Sequence, residues 1–179
     1  MLKLSLIYAP NKIFKQKAEI VNVIDDEIRQ LIKEMLKIMY TEKAVGVGAN
    51  MVGVLKRVAV VDLQDGGIRS PYIFINPEIT RYSGETQTFK ESSICFPGID
   101  ADITRSKEIN IKYLDEEGNQ KELNAQGFLA TVIQHEVDYL DGKIFLSYLS
   151  KLKRDTLSKK MQKYIKMNPP HIHSEHCRH

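Results

Sequence analysis

Two cysteines, Cys95 and Cys177, are too few for a disulfide framework, and a chain of 179 residues does not need one to hold its core. The expected compartment is therefore a reducing cytoplasm. No apolar run approaches the roughly 20 residues of a membrane span, and the opening stretch from Met1 to Pro10 is apolar for too few residues to be a secretory core. An edge strand or an extended arm is expected there, and no membrane partner. Charge of one sign is also scarce: a formal net charge of +3 is too mild to imply nucleic-acid binding by itself. No internal repeat is present. With 42% hydrophobic and 27% charged residues, disorder and collagen-like architectures are set aside. One domain over residues 1–167 is expected, followed by a mobile, His-rich tail over residues 168–179 that holds four of the five histidines.

What is present divides into periodic segments. From Asp25 the apolar residues Ile28, Leu31, Ile32, Met35, Leu36 and Met39 recur at spacings of three and four, with Asp25 or Asp26 able to cap the start. The Met residues there read as core filler. Ala44 to Val54 is small and Gly-rich; because it follows a helix and precedes a strand, it fails as a dinucleotide loop. Two readings remain for it, a tight connection or backbone brought close to an extended ligand. Strands are expected at Arg57–Leu63, Tyr72–Pro77, one or two within Glu78–Lys90, Ile103–Ser106 and Ile109–Leu114, with a hairpin connection at Asp115–Asn119. Between them, Glu91 to Gly98 reads as a turn-like entry with a Pro-Gly stop. A last helix, about Ser150 to Met167, carries Leu152, Leu157, Met161, Tyr164 and Ile165 on one face and a run of lysines elsewhere.

Phe128 to Leu140 is apolar on most sides and predicts a buried helix, yet it carries His135 and Glu136. The run from Gln134 to Phe145 reads as a zinc-hydrolase helix with one ligand changed. In HExxH, two imidazoles four residues apart share a helix face and bind one metal, while the Glu serves as general base. Here Tyr139 stands where the second imidazole would be.

Three stretches in order, Ala44 to Met51, Glu91 to Cys95 and Gln134 to Phe145, make the chain similar to the peptide deformylases, whose motifs are GxGLAAxQ, EGCLS and QHExDHLxGxLF. The resemblance implies an α+β fold with antiparallel or mixed strands around a buried HExxH-type helix and a C-terminal helix. It implies metal positions at His135, Ser93 and Tyr139, with any cofactor being one divalent metal, iron or zinc, at His135. It implies catalytic positions at Glu136 for proton transfer and at Ile94 (backbone N–H) and Met51 for the oxyanion. Val45 and Gly46 match backbone that receives the substrate peptide as an added strand, and Glu91, Phe128 and Val132 join His135 in lining its methionine pocket. The implied partners are N-terminal, formylated peptides and, through the last helix, the ribosome.

Three replacements alter that implication. A serine hydroxyl and a phenol must both shed reluctant protons to bind a metal, and Met51 offers no donor to an oxyanion, a loss typically worth roughly 10² to 10³ in rate. The first expectation is a deformylase-like protein with a degenerate metal site, little or no deformylase activity, and a surviving groove for N-terminal peptides. The second is a working deformylase with a rebuilt site using Glu136 as base. The third is ribosome or RNA docking through Lys159, Lys160, Lys163 and Lys166. Cys95, two residues beyond Ser93, would share its strand face but stand about 6.6 Å away. His135 reads either as a residual ligand or as a core histidine with Glu136 as partner.

Overall fold

Asp25 starts the first helix by accepting the Ile28 N–H at 3.0 Å on its side chain, satisfying one of the amides that a helix start leaves free. Helix α1 then runs Asp26–Thr41 and buries Ile28, Leu31, Ile32, Met35 and Met39, the stripe its spacing predicts. The computed structural model describes residues 4–169. Among them, seven strands follow α1: β1 Gly46–Gly48, β2 Val58–Val61, β3 Tyr72–Tyr82, β4 Thr86–Ser93, β5 Phe96–Ser106, β6 Glu108–Leu114 and β7 Gln120–Gln126. Helices α2, Gly127–Leu140, and α3, Lys151–Met167, complete the order.

One sheet has the order β1-β2-β3-β6-β7, and β4 pairs with β5 in a separate two-stranded sheet. Every pairing between these strands is antiparallel. Strand β1 lies at the edge of the larger sheet, with Val47 opposite Val60. The Val45 carbonyl accepts from Asp62 N–H at 2.9 Å, so by the alternation of antiparallel ladders the Gly46 N–H and C=O point away from β2, to the open edge.

Helix α2 is the buried helix expected. Tyr139 belongs to the apolar cluster built with α1 and the β4–β5 hairpin, whereas Ala130, Val132, Ile133, Val137 and Leu140 pack into a second cluster under the large sheet. The helix thus lies between two cores, and its middle turn has no solvent to face.

Several boundaries differ from expectation. Pro97-Gly98 does not stop a strand: both lie inside β5, where Gly98 takes φ +77. A Cβ at Gly98 would stand 2.4 Å from Cγ of Tyr164, so the missing side chain is what lets α3 lie against the strand. Glu78–Lys90 divides between the end of β3 and most of β4. Leu152, expected on the packed face of α3, is 78% exposed, while Met161 is the buried residue of that helix. Residues 4–9 form an extended arm rather than a strand, tied down by Ile7 N–H to Met51 O at 2.8 Å and Ala9 N–H to Cys95 O at 2.9 Å. No helix among the described residues is long and apolar enough to cross a membrane. The reading of residues 168–179 as a mobile tail falls, beyond Pro169, outside the described residues.

Candidate active site

The open edge of β1, the end of β4 and one face of α2 enclose a cleft of about 210 Å³. Of the positions implied by the sequence, Val45, Gly46, Met51, Glu91, Ser93, Ile94, Phe128, Val132, His135 and Glu136 all line it. Tyr139 does not. It is fully buried beneath the floor and reaches Ser93 from the core side. Phe128 stands at the rim, 42% exposed, against Phe89 at 5.3 Å between ring centres.

His135 and Tyr139, four apart on α2, share a face as helical geometry requires, with their rings 5.2 Å apart. The Tyr139 hydroxyl donates to Ser93 Oγ at 2.7 Å, and Ser93 Oγ also accepts the Cys95 N–H at 3.3 Å. Burial holds the Tyr139 phenol well above its ordinary range. The pair is a neutral, closed hydroxyl contact. Among the described residues no three His, Cys, Asp or Glu side chains are grouped as a metal site needs.

Cys95 is not on a strand with Ser93. Ile94 and Cys95 form the turn of the β4–β5 hairpin, Ser93 opposite Phe96, and the turn swings the Cys95 thiol into the core, 4.0 Å from Met51 O. Burial pushes that thiol up, away from the thiolate a metal would need.

His135 finds its partner in Glu91, not Glu136: its Nδ1 lies 2.8 Å from Glu91 Oε2. Glu91 accepts from Arg105 as well, through Nε at 2.6 Å and Nη2 at 3.0 Å. Burial alone would raise the Glu91 carboxyl, but hydrogen bonds from His135 and Arg105 outweigh it and hold the group below its usual range. An ionised Glu91 can only accept, so this network puts the imidazole proton on Nδ1. Arg105 then donates Nη1 to Asp138 at 2.7 Å and to Tyr148 OH at 3.0 Å, and Tyr148 donates to Asp138 at 2.6 Å.

Glu136 is the exception to this pairing. It is 4% exposed, and its Oε2 has no hydrogen-bond partner among the described residues. Burial, first of all, pushes its carboxyl up to about 7. The chain makes room for it by having no side chain at Gly46: a Cβ there would stand 2.6 Å from Glu136 Oε1. Met51 turns its thioether inward, where Sδ accepts the Gly48 N–H at 3.2 Å. The neighbouring Asn50 fixes this turn to α2 by donating to Tyr139 O at 2.7 Å.

Sequence reasoning missed Arg105, Asp138 and Tyr148. A signal for Arg105 existed: in β5 the alternate residues Ile99, Ala101, Ile103 and Arg105 share the inward face, which gives a charged residue a core position. Asp138, three after His135, shares its helix face, but nothing local announces Tyr148.

Comparisons with known proteins place the chain by sequence and by fold. The sequence model of the polypeptide deformylase family matches residues 3–155. The chain is 62% identical over 174 residues to a protein named peptide deformylase-like from Rickettsia conorii, covering 97% of this chain and 95% of that one. It is 40% identical over 168 residues to peptide deformylase 1 of Pseudomonas syringae, covering 94% and 99%. Among solved structures, the peptide deformylase of Ehrlichia chaffeensis in complex with actinonin superposes with a TM-score of 0.85 at 37% identity, over 94% of this chain and 99% of that one. A Legionella pneumophila peptide deformylase gives 0.86 at 31% identity, over 92% and 96%. On its sequence and its fold, this chain belongs to the peptide deformylase family.

Proposed function

We propose that this chain keeps the deformylase groove for N-terminal peptides but has a degenerate metal site and little or no metal-dependent deformylase activity. The observation that carries the reading is the Tyr139 to Ser93 hydrogen bond of 2.7 Å, made by two of the three positions that match metal ligands. Peptide deformylases are metal-dependent hydrolases. The donor set here does not fit their divalent iron or zinc: one imidazole stands beside a neutral alcohol and a buried phenol that resists ionisation. No hydrolytic step is therefore derived through a metal. Met51 adds to this, since its sulfur accepts a hydrogen bond and donates none. The acting unit is residues 1–167, taken as one domain, and the peptide joins the open edge at Gly46 as an added strand.

The test is metal content and formate release from a formyl-Met peptide, measured on the protein, on His135→Ala and on the triple variant M51Q/S93C/Y139H. The expected outcome is no formate from the protein, metal content unchanged by His135→Ala, and both metal and turnover created by the triple substitution. Near one iron or zinc per chain that disappears with His135→Ala, together with turnover, would overturn the reading in favour of a rebuilt enzyme.

A second reading, docking on RNA such as the ribosome's, has its own observation. Lys159, Lys160, Lys163 and Lys166 are exposed on α3 and none makes an ion pair among the described residues. Replacing all four by Ala is expected to weaken RNA binding and to flatten its log–log salt dependence by about one unit per lysine. Binding that ignores salt removes this reading.

A further inference from the structure

We propose that Lys43 and Lys90 make the outer end of the cleft a subsite for acidic side chains, so that the groove prefers N-terminal peptides carrying Asp or Glu at their third and fourth residues. This rests on the peptide-binding reading above and names the sequence class that the groove takes.

The starting point is how charge is distributed along the cleft wall. Besides His135, four charged side chains line it: Lys43, Lys90, Glu91 and Glu136. The two acids lie inward. Glu91 is buried and occupied by Arg105 and His135, while Glu136 is buried at the floor under Gly46. The two lysines are exposed, and neither makes an ion pair among the described residues. Asp102 stands opposite Lys90 across the β4–β5 hairpin and Glu42 precedes Lys43, but neither acid lines the cleft or pairs with a lysine. A bound chain therefore meets two ammonium groups at the mouth whose counter-charge the described fold does not supply.

Strand geometry places both lysines at the same end. On the β1 side the lining runs from Gly46 at the floor back to Lys43, and Val47 and Gly48 beyond Gly46 take no part in it. On the β4 side it runs from Ser93 back to Lys90. Each lysine thus stands three residues out from the floor, about 10 Å along an extended chain. Lys43 turns out of the ladder there, with φ +54 and its N–H on Tyr40 O at 3.3 Å. Lys90 alternates with Glu91, so that one side chain enters the core and the other goes to the rim. A peptide added to the open edge, with its first residue beside Gly46, runs out along Val45 and Ala44 and brings its third and fourth residues between the two lysines. Carboxylates there gain two partners on long, flexible stems, whereas lysines there meet like charge. The end of the peptide stays at the floor, so selection at residues three and four is independent of the charge state of Glu136.

The experiment is isothermal titration at neutral pH and low salt, with chelator present, of the full-length protein with formyl-Met-Ala-Asp-Asp-amide, formyl-Met-Ala-Ala-Ala-amide and formyl-Met-Ala-Lys-Lys-amide, which share both blocked ends. One exposed ion pair changes binding by about 1.5- to fivefold. The acidic peptide is therefore expected to bind roughly fivefold tighter than the neutral one and the lysine peptide weakest, with the spread shrinking at about 0.5 M salt. Lys43→Glu combined with Lys90→Glu is expected to reverse the order, with an unchanged circular-dichroism spectrum as the check on folding. Lys33→Glu combined with Lys37→Glu makes the same change in net charge at two exposed positions of α1 outside the cleft, and is expected to leave the order as it was. Equal binding of the acidic and lysine peptides, an order that survives the reversal at Lys43 and Lys90, or one that reverses equally with Lys33 and Lys37 overturns the inference while leaving the peptide-binding reading intact. Binding of none of the three peptides overturns both.

Discussion

At the scale of single residues, the site is best understood by asking which polar atoms are satisfied. Tyr139 and Ser93 satisfy one another, and Tyr139→Phe removes the donor while keeping the ring against Phe14 and Phe96. Ser93 Oγ still has the Cys95 N–H, so the expected loss is about 1 kcal/mol in urea denaturation; Tyr139→Ala, which empties core volume, should cost about 3–5 kcal/mol. Glu136 behaves in the opposite sense. Its folded value of about 7 lies above the ordinary 4.5, so between those pH values the folded chain holds more proton than the unfolded one. Stability from this group is therefore highest below about pH 4.5, falls as pH rises, and is fully lost above about 7, by an amount on the order of 3 kcal/mol. Glu136→Gln is expected to be the more stable protein at pH 8 and nearly equal at pH 5, read as the difference between two urea midpoints. Glu91, whose carboxyl is held low, works below that window: its stabilisation is present above about 4.5 and lost as pH falls further. His135 and Glu136 could be picked out from sequence as a metal helix, but their partners could not. Which of two neighbouring acids meets an imidazole depends on the β4–β5 hairpin, 44 residues away in the chain from His135 to Glu91.

At the scale of elements, α1 was legible because its apolar residues repeat at helical period, and α2 because it is apolar on most sides. The β4–β5 hairpin was not. Pro97 and Gly98 are stop signals in most local contexts, yet here Gly98 takes a left-handed φ within a strand and its bare Cα lets Tyr164 pack on it. That contact depends on a helix more than sixty residues later, which no window around Gly98 contains. Gly98→Ala combines an unfavourable φ with a Cβ placed 2.4 Å from the Tyr164 ring. The expected result is a loss of about 2–3 kcal/mol, accompanied by faster amide exchange confined to α3 if the helix detaches locally. Gly98→Ala with Tyr164→Ala should recover only part of it, because the ring's share of the clash goes while the Tyr164 Cβ, 2.8 Å from the new Cβ, and the backbone term stay. Leu152 shows the converse: its spacing fits the apolar stripe of α3, but it lies in the first turn, beyond the strand that Met161 packs on, and so it remains exposed.

At the scale of the whole molecule, the two-stranded β4–β5 sheet and the central helix meet at a buried charge network. Arg105 on β5, 2% exposed at its side chain, joins Glu91 of β4 to Asp138 of α2 and to Tyr148 beyond it, while Glu91 carries His135. Each donor has an acceptor with good geometry, so the ensemble is tolerated in the interior and specifies how the hairpin sits on the helix. Removing the guanidinium leaves two carboxylates facing one another without a counterion, and this differs in kind from deleting an apolar contact. Arg105→Ala is expected to cost about 3–5 kcal/mol. Arg105→Met, close in length and without charge, should be nearly as damaging, which separates loss of charge from loss of packing. If the loss is mainly charge, Arg105→Met combined with Glu91→Gln and Asp138→Asn should regain stability, since the buried acids then no longer need a cation. Urea midpoints of the four proteins at pH 7 decide between the two. A triple variant no better than Arg105→Met would mean that the guanidinium's hydrogen-bond geometry, rather than charge balance, holds the hairpin against α2 and with it the floor of the cleft.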